Sequence, residues 1–298
     1  MILLLVLFSC VAASFTLAKF GLMYAPPIFF LAVRMLISGP FFLIWEGIRG
    51  KKVPTIALRD IPLLCFTAFV HIYIAFVCDL VALQQMSSFK AAFLYSFSPF
   101  IAVILSYHYF SEKVTLKKIV GLTIGFFGFL LELVVHAPQE QFSCGFFFLS
   151  RADILMLISV IASVYGWTLV RSLLRRQYTS SIINGYSMLL GGSLALITSV
   201  FQEQWYVTQW APFIGATLSI ILVSNIIVYS LYGYLLHYYT TTFISFAGML
   251  SPAIAAVFGW LFLHEAVTIT FWISTGLVSF GLFLFYAEEL RQGYIKKQ

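Results

Sequence analysis

The sequence predicts an all-α membrane protein with ten transmembrane helices arranged as a 5+5 inverted repeat. Three observations carry this. Of 298 residues, 61% are hydrophobic and 9% charged, with mean hydropathy +0.99, whereas soluble domains carry roughly a quarter charged residues. Ten apolar stretches, centred near residues 10, 37, 72, 98, 125, 163, 191, 223, 252 and 278, match the about 20 residues a helix needs to cross the hydrocarbon core. Finally, residues 86–134 align without gaps on 239–287 at a constant offset of 153.

In that alignment Phe93 meets Phe246, Ser98 meets Ser251, Pro99 meets Pro252, Glu112 meets Glu265, Thr115 meets Thr268 and Gly128 meets Gly281. At an offset of 152, Phe15-Thr16-Leu17-Ala18-Lys19 meets Trp167-Thr168-Leu169-Val170-Arg171, and Gly39 meets Gly191. The repeat therefore runs the length of the chain, as halves 1–146 and 147–298. Five spans per half is an odd number, so the second half enters the membrane upside down. Charge tests this separately. Glu112 is followed by Lys113, Lys117 and Lys118, but the counterparts in the second copy are Ala266, Thr270 and Phe271.

The net charge of +6 is no signature of nucleic-acid binding, because most basic residues cluster between spans. The clusters Arg49/Lys51/Lys52/Arg59, Lys113/Lys117/Lys118, Arg171/Arg175/Arg176 and Arg291/Lys296/Lys297 all fall on the N-terminal side of the membrane. The bias of Lys and Arg toward cytoplasmic loops puts both termini in the cytoplasm. Lys19 and Arg151 are the exceptions.

Span one opens MILLLVLFSCVAAS, which resembles a secretory or lipoprotein signal but has no basic residue before Lys19. Its match to span six reads it as a retained helix. Span two carries Arg34. An ionisable group inside a span costs about 2.5–3.5 kcal/mol on insertion scales, so Arg34 either snorkels to the outer headgroups or faces a cavity as an anion anchor. Its place about one and a half turns inside Pro26-Pro27 favours the cavity. Span three carries His71 near its middle and Asp79 further out, with Ala75 and Cys78 on the same small face. Lys90 opens span four, and its default reading is a pair with Asp79, with a substrate carboxylate second. Tyr95, Ser98 and Pro99 follow. A proline inside a helix frees acceptors and kinks it, so Pro99 and Pro252 read as a matched hinge, with Ser98 and Ser251 beside them.

Gly121, Gly125 and Gly128 on span five form a packing seam that needs no chemistry. Span six carries Trp167. Span eight aligns with span three, placing Ser224 opposite His71 and Tyr232 opposite Asp79. Asn225, Tyr229, Tyr232 and Gly233 recur there at helical spacing. Polar stripes on matching helices favour a shared cavity, although Asn and His also serve as interhelical glue. Trp45, Trp205, Tyr206 and Trp210 near span ends fit the interfacial belts.

Several chemistries are missing. Cys10, Cys65, Cys78 and Cys144 show no ligand or redox spacing. His264-Glu265-Ala266-Val267-Thr268 begins like a zinc-protease motif but has Thr268 where the second His belongs. No nucleotide fingerprint appears. The expectation is a carrier rather than an enzyme, with no cofactor and no metal.

The run AAFLYSFSPFIAVIL, then SEKVTLKKIVGLTIGFFGFLL, resembles the EamA-type unit of the drug/metabolite transporter superfamily. The unit's mid-helix Pro is Pro99 and Pro252, its helix-end Glu is Glu112 and Glu265, and its glycines include Gly121, Gly128, Gly276 and Gly281. The resemblance implies a central cavity lined largely by the first four helices of each half. It also implies secondary-active, alternating-access transport of small amino-acid-like or drug-like metabolites across the lipid bilayer of a bacterial cytoplasmic (inner) membrane. Glu112 and Glu265 look structural in that setting. Lys90 and Arg34 depart from the pattern, and Phe15 stands where a Trp is common. Arg34 and Lys90 suit a carboxylate, Asp79 a cationic group, and Tyr73, Tyr95, Trp167, Tyr229 and Tyr232 a ring. That set resembles family members exchanging S-adenosylmethionine for S-adenosylhomocysteine. Amino-acid efflux is the alternative, followed by a non-transporting scaffold. A homodimer is left open.

Reporter fusions after Lys52 and after Thr268 will report opposite sides of the membrane. The same side for both would refute the inversion.

Overall fold

In hydrocarbon every backbone N–H and C=O must be satisfied within the protein, which leaves helices as the spanning element for a chain of this composition. The computed structural model describes residues 2–48, 56–86, 97–136, 151–251 and 269–293, together with positions 91, 94, 95 and 254. Among these residues the chain is all-helical, in ten stretches. The first five are α1 (Ile2–Leu22), α2 (Pro27–Ile48), α3 (Leu58–Leu83), α4 (Ser98–Phe110) and α5 (Leu116–His136). The second five are α6 (Arg151–Arg175), α7 (Ser180–Gln202), α8 (Trp210–Leu235), α9 (Thr241–Ala247, continued by a 3-10 turn Gly248–Leu250) and α10 (Ile269–Arg291). By length and composition, six of them (α1, α2, α3, α6, α7 and α8) are long and apolar enough to cross a membrane.

The packing mirrors the repeat. α2 packs on α7, α5 on α10 and α4 on α9, while α3 packs on α6 and α8 on α1. Replacing each helix by its counterpart five places along returns the same set of pairs. α5 and α10 approach through small residues: a Cβ on Gly121 would lie 2.8 Å from the Gly281 carbonyl oxygen. A Cβ on Gly125 would lie 2.5 Å from the ring of Phe246, so this glycine makes room for an aromatic of α9. Gly128 is buried in the same helix.

Two departures from regular helix fall at matching places. α3 is π-helical over Ala68–Ile74, and α8 is π-helical over Ile221–Val228. These segments coincide under the repeat offset, and such turns insert an extra residue, often at functional sites. Pro99 does not kink the middle of a helix, as its mid-span place suggested. It stands in the first turn of α4, after Phe97 as N-cap, where a missing N–H costs nothing. The span is broken before the proline rather than bent at it. In the second half the 3-10 turn Gly248–Leu250 precedes Ser251. Pro252, Glu265 and Lys90 lie outside the described residues.

One end of the bundle is held by buried charge. Lys118 at the start of α5 pairs with Glu289 near the end of α10 at 2.9 Å, with side chains 3% and 0% exposed. The hydroxyl of Thr240, the N-cap of α9, donates to the other Glu289 oxygen at 2.5 Å and accepts from the Phe243 amide at 3.0 Å. Glu112, between α4 and α5, accepts from Arg171 of α6 at 2.5 Å, and that guanidinium lies 4.4 Å from the Phe110 ring. Lys118 and Arg171 thus differ from their reading as loop charges. Each has a carboxylate to meet inside the bundle, which offsets its desolvation. At the opposite end Lys19, in the last turn of α1, donates to the Met86 carbonyl just past α3 at 2.8 Å.

At the other end, Glu203 after α7 accepts from the amides of Ile28 and Phe29 at 2.9 and 2.8 Å. A carboxylate there satisfies orphan donors of α2 and complements its dipole.

Glu289→Gln, which leaves Lys118 buried without its carboxylate, will lower stability by about 3–5 kcal/mol. Adding Lys118→Met will recover part of that loss, both read by thermal unfolding in detergent.

Candidate functional site

A cavity of about 160 Å³ opens near the centre of the bundle. That is room for on the order of ten water-sized positions, enough for a polyatomic solute. Its walls come from α1, α2, α3, α4, α6, α8 and α9, with Tyr95 just before α4. α7, α5 and α10 contribute none of its described lining.

Much of the lining comes as counterparts in the repeat. Phe15 and Trp167, Phe76 and Tyr229, Asp79 and Tyr232, Tyr95 and Gly248, and Ser98 and Ser251 all face the cavity. The members of most pairs differ in chemistry, so the site is built from matched positions yet is asymmetric. Trp167 stacks on Tyr232 with centroids 3.7 Å apart and planes 12° apart. Tyr229 lies 5.0 Å from Trp167 and 6.3 Å from Phe76. Phe15 meets Tyr95 edge-on at 5.3 Å, and the Tyr95 hydroxyl shares a hydrogen bond with Ser159 at 3.2 Å.

Two opposite charges face this aromatic box. Arg34 is 1% exposed and lines the cavity, so it does not snorkel outward. Its Nη2 donates to Asn225 Oδ1 at 2.8 Å and to Ser224 Oγ at 3.3 Å, and its guanidinium sits 4.9 Å from the Phe76 ring centroid. Its Nε is buried with no partner among the described residues. Asp79, 7% exposed, also lines the cavity, and its Oδ1 is buried with no partner among the described residues. Among the described residues no ion pair or hydrogen bond joins Arg34 to Asp79.

Of the residues singled out from the sequence, Arg34, Asp79, Tyr95, Ser98, Trp167, Tyr229, Tyr232 and Ser251 line this cavity. His71 and Asn225 do not. His71 is 2% exposed and sits behind the wall, edge-on to Trp167 at 4.6 Å and 5.4 Å from Tyr229. It packs so tightly on Gly166 that a Cβ there would overlap its ring. Asn225 is fully buried behind Arg34. The π turns explain both shifts, because an extra residue per turn rotates the stripe away from α-helical spacing. Tyr73 also turns away: its hydroxyl bonds Thr198 Oγ1 of α7 at 2.7 Å. Thr198 itself donates to the Leu194 carbonyl, so Tyr73 is the donor.

The stripes missed Phe76, Ser14, Ser163 and Ser245, which all line the cavity. The signal for Phe76 was present in the repeat, since its counterpart is Tyr229. The serines are small residues in apolar runs and carry no such mark.

The family model of the EamA-like transporter family matches residues 1–134 and 150–287. A protein of Chlamydia trachomatis serovar L2 described as an S-adenosylmethionine/S-adenosylhomocysteine transporter is 35% identical over 291 residues, covering 95% of this chain and 88% of the relative. A Chlamydia muridarum protein of the same description is 34% identical, covering 95% of this chain and 90% of the relative. An uncharacterized transporter of Bacillus subtilis is 22% identical over 86% of this chain and 81% of its own. A solved crystal structure at 14% identity superposes with TM-score 0.76 over 98% of this chain and 96% of that one, which speaks for the fold alone. The chain belongs to the EamA-like transporter family of the drug/metabolite transporter superfamily, and it is a multi-pass membrane transporter rather than an enzyme.

Proposed function

We propose that the protein exchanges S-adenosylmethionine for S-adenosylhomocysteine by alternating access across a bacterial cytoplasmic membrane. In this reading the halves 1–146 and 147–298 are inverted and both termini are cytoplasmic. The observation that carries the substrate assignment is the pair of opposite charges, Arg34 and Asp79, facing one cavity with no bond between them. Holding two buried charges apart costs stability, and a ligand bearing both signs relieves the cost. Arg34 is assigned the α-carboxylate and Asp79 the cationic groups. The stacked Trp167 and Tyr232, with Tyr229 and Phe76, supply faces for an adenine ring and attract a sulfonium. The relatives described as S-adenosylmethionine/S-adenosylhomocysteine transporters support the same assignment. Amino-acid efflux would need the two charges but not a box of four aromatic rings. The cavity lies within one chain, so this reading needs no second copy.

Purified protein in liposomes loaded with S-adenosylhomocysteine will drive counterflow of labelled S-adenosylmethionine. Aromatic and basic amino acids and nucleotide sugars will compete weakly. Arg34→Ala and Asp79→Asn will each raise KM about tenfold or more, the loss of one charge-assisted hydrogen bond. Efficient counterflow of plain amino acids, or wild-type KM in both variants, would refute the assignment. In a background lacking Cys10, Cys65, Cys78 and Cys144, Ser14→Cys, Ser163→Cys and Ser245→Cys will react with a small permeant thiol reagent and be protected by S-adenosylmethionine. Thr168→Cys, at a fully buried position of α6, will not react.

A further inference from the structure

The cavity anchor is held from behind by a residue the substrate does not reach. Asn225, in the π turn of α8, is 0% exposed and absent from the cavity wall. Its Oδ1 accepts from Arg34 Nη2 at 2.8 Å, while its Nδ2 donates to Ser38 Oγ at 2.8 Å and to the Arg34 carbonyl at 3.3 Å. Ser38 in turn donates its hydroxyl proton to that same carbonyl at 2.6 Å, so its oxygen is left to accept from Asn225.

This network admits one orientation of the amide. Turned over, it would point its NH2 at the donor-only guanidinium and its oxygen at the Arg34 carbonyl. The π turn makes the arrangement possible by bringing the adjacent residues Ser224 and Asn225 to bear on one nitrogen of Arg34. Among the described residues, Nη2 is the one guanidinium nitrogen with a protein partner; Nε is buried without one. The fork is therefore held at one corner by neutral acceptors, with no carboxylate bonded to it among the described residues and Nη1 left for a ligand. At the corresponding place in the first half His71 stands where Ser224 does, and it backs the aromatic wall instead.

We propose that Asn225 is a positioning residue that sets carboxylate recognition by orienting Arg34 without neutralising it. This rests on the reading of Arg34 as the substrate's carboxylate anchor. The neutrality of the amide is the point: a carboxylate in its place would hold the same corner but cancel the charge the substrate needs.

The test compares counterflow of S-adenosylmethionine and of its decarboxylated analogue, in wild type and in Asn225→Asp, Asn225→Ala and Arg34→Ala. Wild type will favour the carboxylate-bearing compound. Asn225→Asp will raise its KM about tenfold or more, leave the KM of the decarboxylated analogue within about twofold, and keep Vmax for both. Asn225→Ala will shift the same ratio in the same direction by a smaller factor. Retained transport of the decarboxylated analogue shows that the variants fold. If Arg34→Ala collapses the preference but both Asn225 variants keep it, or change both compounds alike, the inference about Asn225 is overturned and the anchor stands. If Arg34→Ala itself leaves the preference intact, the anchor reading fails and the role of Asn225 falls with it.

Discussion

A bilayer has no water to satisfy a stray backbone group, and this constraint shapes the whole molecule. Regular helix solves it almost everywhere. Among the described residues, the departures inside the bundle include the two π turns of α3 and α8, the break before Pro99 and the 3-10 turn Gly248–Leu250. All of them lie on helices that line the cavity, where backbone can depart from regularity because it is enclosed by protein. The irregularities occur at equivalent places in both halves, so each half brings the same two devices to the centre.

Charge follows a parallel logic. At one end of the bundle, two pairs of buried charges are matched: Lys118 with Glu289, and Arg171 with Glu112. These pairs tie the ends of three helices and the segment between α4 and α5 together. In the centre, Arg34 and Asp79 are buried, and among the described residues no ion pair matches either of them. The same desolvation cost is met by a bonded opposite charge at the end, whereas at the centre Arg34 is met by neutral groups and an aromatic face. That contrast makes the central pair the candidate for ligand recognition, whereas a buried charge as such is not.

The fold was largely legible because its signals are one-dimensional. Apolar length reads as span and offset reads as repeat. The site was legible in part. Trp167, Tyr229, Tyr232, Asp79 and Arg34 stood out as polar or aromatic residues recurring in apolar helices, and they line one cavity. His71, Asn225 and Tyr73 stood out equally and lie behind or away from it. Helical-wheel reasoning assumes 3.6 residues per turn, and a π turn breaks that assumption where the stripes were being read. Lys118 and Arg171 looked like loop charges because their partners, Glu289 and Glu112, are 171 and 59 residues away.

The sequence by itself determined the number of spans, their pairing into counterparts and the residue types available near the membrane centre. Those follow from composition and repetition, which need no third dimension. Only the tertiary structure decided which face of each helix meets the cavity, that Arg34 is held by Asn225 and left apart from Asp79, and that Phe76 joins Tyr229 in one wall. The physical reason is that a buried side chain's role depends on whether a partner satisfies it. In this chain those partners come from helices far apart in sequence, placed by packing and by two turns of irregular helix.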